Sequence, residues 1–325
     1  MMRQQCYSVA AACIALGGLC AAAPVVAADA LGPHEWLDRM AIAVQTTNYE
    51  GTVIRLQNGT VEALRVVRKV IDGVIHERVV VQEGNGLEIV RHGNEVHCIL
   101  PDRKSVLVEE WNGQSTLFST VPSSDVRFGS EYDVLIVRKD RIAARKAVLL
   151  AIRPHDNFRY GHRIWLDIET GFPLQTQLIG DDPNPLEQVK FADIDLDSDI
   201  PASALVSSYN TENFRWYTQP RRKSNNAVET DWTAEDLPSG FRVVSTKQEQ
   251  VAGAEEPVLH ILYGDGLANV SVFIATRKDK NIKQRSRVGA SNAYSVASGN
   301  YRVTAVGEVP AVTVQQIAES MRLAD

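Results

Sequence analysis

The chain has almost no cysteine that could serve a structural role. Three of its four cysteines lie within the first 20 residues, and Cys98 is the remaining one. A single cysteine cannot close an intrachain disulfide, so a small disulfide-stabilised scaffold is excluded. The fold must be held by a hydrophobic core, which 325 residues are enough to build. Cys98 is either a buried small side chain, as its apolar neighbours favour, or an exposed reactive thiol.

Excess positive charge and a second long apolar run are also missing. The 40 acidic and 34 basic residues give a net charge of −6, so the overall basic footprint of a nucleic-acid-binding protein is absent. Beyond residue 28 no stretch approaches the ~18 consecutive apolar residues of a membrane-spanning helix. A hydrophobic fraction of 44% is ordinary for a globular protein and excludes disorder over the whole length.

The sequence carries no catalytic signature. It has no H-E-x-x-H zinc motif, no phosphate-binding P-loop, no G-x-S-x-G elbow and no C-x-x-C pair. His97 and Cys98 are adjacent on a predicted strand and point to opposite faces, which disfavours a shared metal. His155 and His162 are better explained as loop and strand residues than as an acid–base pair. We therefore predict no enzyme activity, no metal and no cofactor.

The N-terminus has the pattern of a secretory signal peptide. Arg3 precedes an apolar stretch over 9–19, and small residues at 26–28 offer a cleavage site before Asp29. A membrane anchor is the less favoured alternative, because the apolar stretch is short for a span. We predict removal of residues 1–28 and a soluble, exported mature chain.

What the sequence has in abundance is short strand-like segments separated by turn residues. A helix is predicted over 33–46, with an apolar face at spacings of three and four. Pairs such as Asn58-Gly59 and Asp72-Gly73 supply the positive φ of tight hairpins. This spacing predicts a large antiparallel sheet or partial barrel, interrupted by an irregular insertion at 111–131. The predicted strands are 49–56, 61–70, 74–83, 86–91, 95–100, 104–110, 132–139, 145–153, 159–167, 172–180 and 186–194.

A polar, turn-rich stretch over 206–231 is typical of a linker and separates a body at 29–205 from a second domain at 232–325. In the second domain the pattern predicts strands at 241–248, 257–263, 269–276 and 300–307. A final helix is predicted to begin near Thr313, since Thr313 and Gln316 have capping-box spacing. Gly264-Asp265-Gly266 is interpreted as a hairpin turn rather than a phosphate loop. The fold class is α+β and mostly β.

One basic cluster stands out in this acidic chain. Five cations surround a single predicted turn and could pair with a phosphate. The alternative is a charged sheet edge that blocks pairing with other chains. A curled sheet also leaves a concave apolar face that could hold an acyl chain, so the residues alone indicate an exported two-domain binding protein. The cluster consists of Arg138, Lys139, Arg141, Arg145 and Lys146.

Seven segments, in order over most of the mature chain, have a recognisable pattern. They are 49–52 (YEGT), 88–109 (EIVRHGNEVHCILPDRKSVLVE), 160–175 (YGHRIWLDIETGFPLQ), 186–188 (LEQ), 237–241 (LPSGF), 263–273 (YGDGLANVSVF) and 306–310 (VGEVP). Together these segments resemble the RseB/MucB family of periplasmic sigma-E regulators. Gly264 departs from the family pattern, where Ser is expected, and this should only loosen a turn.

The resemblance implies that 29–205 is an unclosed, lipid-sensing β-barrel with covering helices, similar to the lipoprotein carriers LolA and LolB. It implies that 232–325 binds the periplasmic segment of a membrane anti-sigma factor similar to RseA or MucA, and shields it from site-one proteolysis. Lipopolysaccharide or another amphiphile would displace the protein. The family contributes no catalytic residues, and homodimerisation stays open.

Residues on the second domain could form or border the partner surface, although a place in the core is at least as well supported. They are Tyr263, Leu267, Val270, Val272 and Phe273. Two further hypotheses remain: a lipoprotein carrier of the LolA kind, which the extra domain argues against, and a hydrolase without a recognised motif.

Overall fold

A computed structural model describes residues 31–110, 117, 130–182, 184–196, 198–218, 228–250, 256–276 and 283–323. The predicted signal peptide and almost all of the 111–131 insertion lie outside these residues. Within them, no helix has the length and apolar character needed to cross a membrane. The stretch Gly32–Asp325 forms one compact unit.

The first helix, α1 (Pro33–Thr46), forms where the sequence predicts it. Pro33 occupies the first turn, and the Gly32 backbone N donates to the Glu35 carboxylate over 2.5 Å. Trp36 and Met40 lie on its buried face. The apolar spacing of three and four thus gives the helix a single side with which to pack.

In the part of the chain that the structure describes, twelve strands form one large open sheet. Its order is β12-β6-β5-β4-β3-β2-β1-β11-β10-β9-β8-β7. All neighbours pair antiparallel except β12 and β6, which pair parallel. The predicted unclosed sheet is confirmed, with β12 and β7 at its two edges. The strands are β1 (Tyr49–Gln57), β2 (Thr60–Ile71), β3 (Val74–Val81), β4 (Glu88–His92), β5 (Glu95–Leu100), β6 (Ser105–Glu110), β7 (Tyr132–Ile142), β8 (Arg145–Pro154), β9 (Gly161–Asp167), β10 (Pro173–Ile179), β11 (Pro185–Asp195) and β12 (Arg215–Thr218).

The core of the large sheet lies on one face, under α1. Tyr49, Phe172 and Phe191 form its aromatic centre, with ring centroids 4.8 to 6.0 Å apart and all three side chains fully buried. Apolar residues at alternate strand positions reach this face because successive side chains of a strand point to opposite sides. Ala43 of α1 belongs to the same cluster.

The other strands among the described residues form a six-stranded sheet and a small two-stranded one. The six-stranded order is β14-β15-β16-β19-β18-β17, and β13 pairs with β20. Helix α2 packs on β18 and β19 over a core that includes Ile317 and Val303. These elements are β13 (Trp232–Ala234), β14 (Arg242–Glu249), β15 (Val258–Gly264), β16 (Asn269–Thr276), β17 (Lys283–Val288), β18 (Ser291–Ser298), β19 (Tyr301–Gly307), α2 (Ala311–Ser320) and β20 (Met321–Leu323).

The predicted capping box at the last helix is wrong. Helix α2 begins at Ala311 with Pro310 at the N-cap, so Thr313 is already inside the first turn. Its hydroxyl instead donates to the carbonyl of Phe158, 2.6 Å away in the loop after β8. The Thr–Gln spacing was present, but proline starts the helix two residues earlier.

Part of the stretch predicted as a linker is attached to the large sheet. Arg215–Thr218 forms the edge strand β12 beside β6. Ser207 and Ser208 hydrogen-bond to the buried Glu88 carboxylate. The first part of 206–231 therefore follows the large sheet and does not run free.

Cys98 on β5 is half-buried. Burial, followed by the charge of Glu109, raises the pKa of its thiol. Both effects disfavour the thiolate, the reactive form of cysteine.

Candidate functional site

A groove opens on the core face of the large sheet beside the edge strand β7. Leu149 faces Trp165 across β8 and β9, and Ala151 faces Arg163, so alternation places all four on one side of the sheet. Leu149, Ala151 and Trp165 are buried and form an apolar floor. The groove encloses about 440 Å³.

Cations surround this apolar floor. The exposed side chains of Arg138, Arg153 and Arg163 line the groove together with Val137 and Gln177. An apolar floor with guanidinium groups above it suits a molecule that has both an acyl chain and an anionic head.

Hydrogen bonds hold one wall of the groove in place. The Trp165 indole Nε1 donates to Asp140 Oδ2 over 3.0 Å, and Arg138 Nη2 reaches the same oxygen at 3.0 Å. The Trp165 bond and the backbone N of Arg141 are the leading causes that lower the pKa of Asp140. Asp140 therefore stays ionised and orients both side chains.

The structure separates the five predicted cations. Arg138 lines the groove. Arg145 is engaged with Asp167 at 2.7 Å and Glu169 at 3.2 Å, and the Arg141 Nε donates to the Ala144 carbonyl. Lys139 and Lys146 are exposed and are not among the residues that line the groove.

Sequence reasoning missed Arg153 and Arg163. A signal was available, because each lies two positions from a buried residue on the same strand face, Ala151 for Arg153 and Trp165 for Arg163. The cations that are adjacent in sequence predicted a site at the β7–β8 turn instead. The pairing of β8 with β9 brings Arg153 and Arg163 together, which sequence proximity does not show.

The predicted partner residues divide between core and surface. Tyr263, Val270 and Val272 are buried to 1% exposure or less in the core of the six-stranded sheet. A side chain buried in this way cannot contact a partner, so these three lie beneath the surface. Leu267 and Phe273 are half-buried, and Phe273 stacks on His260 with centroids 4.5 Å apart. Of the five residues predicted for the partner surface, only Leu267 and Phe273 are exposed enough to contact a partner.

The edge strand β7 exposes three consecutive apolar side chains. Leu135, Ile136 and Val137 are 40%, 43% and 43% exposed, and a bulge interrupts the pairing with β8 between Ile136 and Arg138. A long apolar edge of this kind is prone to pair with another chain.

A buried ion pair joins the large sheet to the six-stranded one. Arg159, in the loop after β8, lies 2.9 Å from Asp265, in the turn between β15 and β16, with both side chains almost fully buried. Asp265 also accepts the Tyr132 hydroxyl at 2.8 Å. The Arg159 guanidinium contacts Asp156 at 3.2 Å and donates to the Ser239 carbonyl at 2.6 Å. We call Arg159, Asp265, Tyr132, Asp156 and Ser239 the junction.

Further contacts support the junction. The Tyr160 hydroxyl donates to the Ala290 carbonyl at 3.2 Å and accepts from Asn292 Nδ2 at 3.1 Å. The tip of the β1–β2 hairpin at Asn58 packs against Gly289 between β17 and β18. The two sheets therefore meet over several separate loops.

His162 lies near the junction and is held neutral. Burial lowers its pKa to about 4, although the charge of Asp265 acts in the opposite direction. Among the residues that the structure describes, no three His, Cys, Asp or Glu side chains are grouped so that they could hold a metal ion.

Comparison with known proteins gives a consistent family. The sequence model of the MucB/RseB N-terminal domain matches residues 32–209, and that of the MucB/RseB C-terminal domain matches 226–322. The chain is 29% identical over 313 residues to the sigma factor AlgU regulatory protein MucB of Pseudomonas aeruginosa, covering 94% of this chain and 95% of MucB. It is 27% identical to the sigma-E factor regulatory protein RseB of Salmonella typhimurium, covering 88% and 89% of the two chains.

Solved structures agree in fold. In the complex of Pseudomonas aeruginosa MucA and MucB, the matching chain gives a TM-score of 0.69 at 27% identity and covers 90% of this chain and 99% of its own. A crystal structure of MucB gives a TM-score of 0.54 at 25% identity and covers 89% of this chain and 97% of its own. These relatives are named regulatory proteins rather than enzymes. With both family models matched in order, the chain belongs to the MucB/RseB family.

Proposed function

We propose that this protein is a periplasmic negative regulator of an envelope-stress sigma factor. It binds the periplasmic segment of a transmembrane anti-sigma factor and shields that segment from site-one proteolysis. One observation carries the proposal: a relative solved in complex with MucA(peri) superposes with a TM-score of 0.70 and covers 90% of this chain and 100% of its own. In this proposal the partner binds mainly through 232–325, and 29–205 senses lipid.

The groove supports a second part of the proposal, release by an amphiphile. Its buried floor of Leu149, Ala151 and Trp165 suits an acyl chain, whose burial contributes about 0.8 kcal/mol per CH₂. The arginines around it suit phosphates such as those of lipopolysaccharide. Release requires that the amphiphile bind the free form more tightly than the partner-bound form, because equal affinity shifts no population.

Calorimetric titration of the chain from Asp29 onward with the periplasmic segment of the host's anti-sigma factor tests the first part. Binding at micromolar affinity or tighter is expected, and repeating the titration with lipopolysaccharide should weaken it at least tenfold. Tight binding that lipopolysaccharide leaves unchanged would overturn release by this amphiphile.

The same titration separates the alternative, a periplasmic lipid or lipoprotein carrier of the LolA kind. A carrier should bind an acylated ligand in the groove and show no affinity for the anti-sigma segment. That outcome would overturn the regulator proposal. The variant Ala151→Trp, which fills the floor of the groove without changing its charge, should abolish amphiphile binding under both hypotheses and leaves the partner titration to decide between them.

A further inference from the structure

The groove continues to the junction. A second cavity of about 290 Å³ shares Ala151, Arg153 and Arg163 with the groove, and Arg159 and His162 also line it. A ligand whose tail lies on the apolar floor could therefore place its head beside Arg159. This continuity physically links the lipid groove to the contact between the two sheets.

Two of the cations along this path lack a partner. Among the residues that the structure describes, the guanidinium groups of Arg153 and Arg163 have no ion pair or hydrogen bond with a carboxylate, and both are exposed to the cavity. The nearest acid across the β7–β8 pair, Asp133, is engaged by His155 at 2.9 Å. The cavity is also lined by two carboxylates, those of Asp156, which contacts Arg159 at 3.2 Å, and of Asp181. Three guanidinium groups against two carboxylates leave the lining with a net positive charge that favours an anion, and guanidinium groups recognise phosphate in a bidentate manner.

Arg159 is the third guanidinium and the one that holds the junction. Its partner Asp265 is also held by its own turn, because Asp265 Oδ1 accepts the backbone N of Leu267 at 2.9 Å and of Ala268 at 2.7 Å. Asp265 can thus lose Arg159 without becoming an isolated charge. Arg159 needs an anion in either case, since an unpaired buried charge is strongly unfavourable.

We infer that the cavity between Arg153, Arg163 and Arg159 is a binding site for a phosphate group, and that phosphate bound there competes with Asp265 for Arg159 and loosens the junction. This rests on the amphiphile site of the proposed function and adds to it the step that connects lipid binding to the partner-binding domain. The binding free energy of the amphiphile is greater when the junction is open, which is the differential affinity that release requires.

Hydrogen exchange on the full mature chain tests the inference. The probes are lysophosphatidic acid, lysophosphatidylcholine as a neutral-headed control, and inorganic phosphate. Lysophosphatidic acid should raise the exchange rates of the amides at 239–241 and 265–268 severalfold, whereas lysophosphatidylcholine should leave them unchanged. Inorganic phosphate that opens the junction at higher concentration would support the same site and identify free phosphate as a second source. Binding of lysophosphatidic acid without faster exchange would overturn the coupling.

Two exposed substitutions identify the site. Arg153→Gln and Arg163→Gln should each weaken lysophosphatidic acid binding about tenfold and suppress the exchange response, while Lys139→Gln, an exposed cation outside both cavities, should change neither. Equal effects of all three would overturn the site. Asp265→Asn should tighten phosphate binding, because it removes the carboxylate that competes for Arg159. If this variant does not fold, Arg153→Gln and Arg163→Gln still decide whether the phosphate site exists.

The outcome is separable from that of the proposed function. Junction opening by lysophosphatidic acid in a chain that does not bind the anti-sigma segment would support the inference and contradict the regulator. If lipopolysaccharide weakens partner binding while the junction stays closed, the regulator is supported and the inference is contradicted.

Discussion

The carboxylate of Glu88 on β4 holds Ser208 through two hydrogen bonds, one from its backbone N at 3.1 Å and one from its hydroxyl at 2.5 Å. Glu88 is also paired with Arg78 at 2.6 Å and is almost fully buried. Although burial acts to raise the pKa of Glu88, the bonds from Arg78, Ser208 and Ser207 lower it overall. A buried ionised group thus fixes the stretch that leads out of the large sheet.

We expect Glu88→Ala to lower the free energy of unfolding by about 2–4 kcal/mol, because it leaves Arg78 and the two serines without their acceptor. Urea denaturation measures the loss. Glu62→Ala is the matched control, since Glu62 forms a comparable but more exposed ion pair with Arg55 and should cost less than about 1 kcal/mol. Equal losses would show that Glu88 holds nothing beyond a surface pair.

Gly289→Ala should destabilise the protein more than Gly299→Ala. Both glycines have positive φ, +58° and +55°, which costs an alanine about 1 kcal/mol. A Cβ on Gly289 would overlap Asn58, whereas one on Gly299 meets nothing within 4 Å. The extra loss should be about 1–2 kcal/mol in urea denaturation, and Asn58→Gly in the Gly289→Ala background should recover part of it. Identical losses would mean that the hairpins do not press on one another.

Acid should destabilise the folded state through His162. Its pKa is about 4 in the fold against 6.5 when unfolded, so the unfolded chain binds more protons between those values. The free energy of unfolding therefore falls as pH decreases through this window. His162→Gln should flatten the dependence of Tm on pH between 6.5 and 4.

His155→Gln is the control of opposite sign. The hydrogen bond to Asp133 raises the pKa of His155, so its protonated form stabilises the fold at acid pH and that contribution is lost as pH rises. Its removal should steepen the acid loss. A His162→Gln protein with the parental pH profile would contradict the burial of a neutral imidazole.

Thr313→Val should cost about 0.5–1.5 kcal/mol, because it removes the hydroxyl that donates to the Phe158 carbonyl and keeps the shape of the side chain. Thr276→Val, at an exposed strand end, should have an effect below about 0.5 kcal/mol. Thermal unfolding compares the two. We expect hydrogen exchange at 156–160 to rise only in the Thr313 variant, and unchanged exchange there would contradict a link across the sheets.

The large sheet could be predicted from its turns. Asn58-Gly59 and Asp72-Gly73 adopt the positive φ that the pattern requires, and every strand expected between them and β11 forms. Strand β17 was not predicted because all six of its residues are exposed and all except Val288 are polar, so the sequence shows no alternation of apolar and polar residues. Strand β12 is likewise exposed throughout, and only its pairing with β6 reveals it.

The candidate site was less accessible to sequence reasoning. The cations that cluster in sequence around the β7–β8 turn do not form one site, because local groups such as Asp167 bind some of them. The groove is assembled by strand register, which pairs Ala151 with Arg163, and the junction by contact between sheets, which pairs Arg159 with Asp265. Neither relationship leaves a local pattern in the chain.

The place of β1 in the sheet has a consequence for how the chain folds. Strand β1 lies between β2, which follows it directly, and β11, whose Asp193 bonds to Thr52 across 141 residues of sequence. As the chain is synthesised from its N-terminus, β1 can pair with β2 at once. Its other edge stays unpaired until β11, the eleventh strand in sequence, has been synthesised. Such distant pairing slows folding and prolongs the exposure of an apolar edge. The first strand of the chain is therefore among the last to complete its pairing. A chain truncated before β11 leaves an unpaired strand at the centre of the sheet rather than at its border.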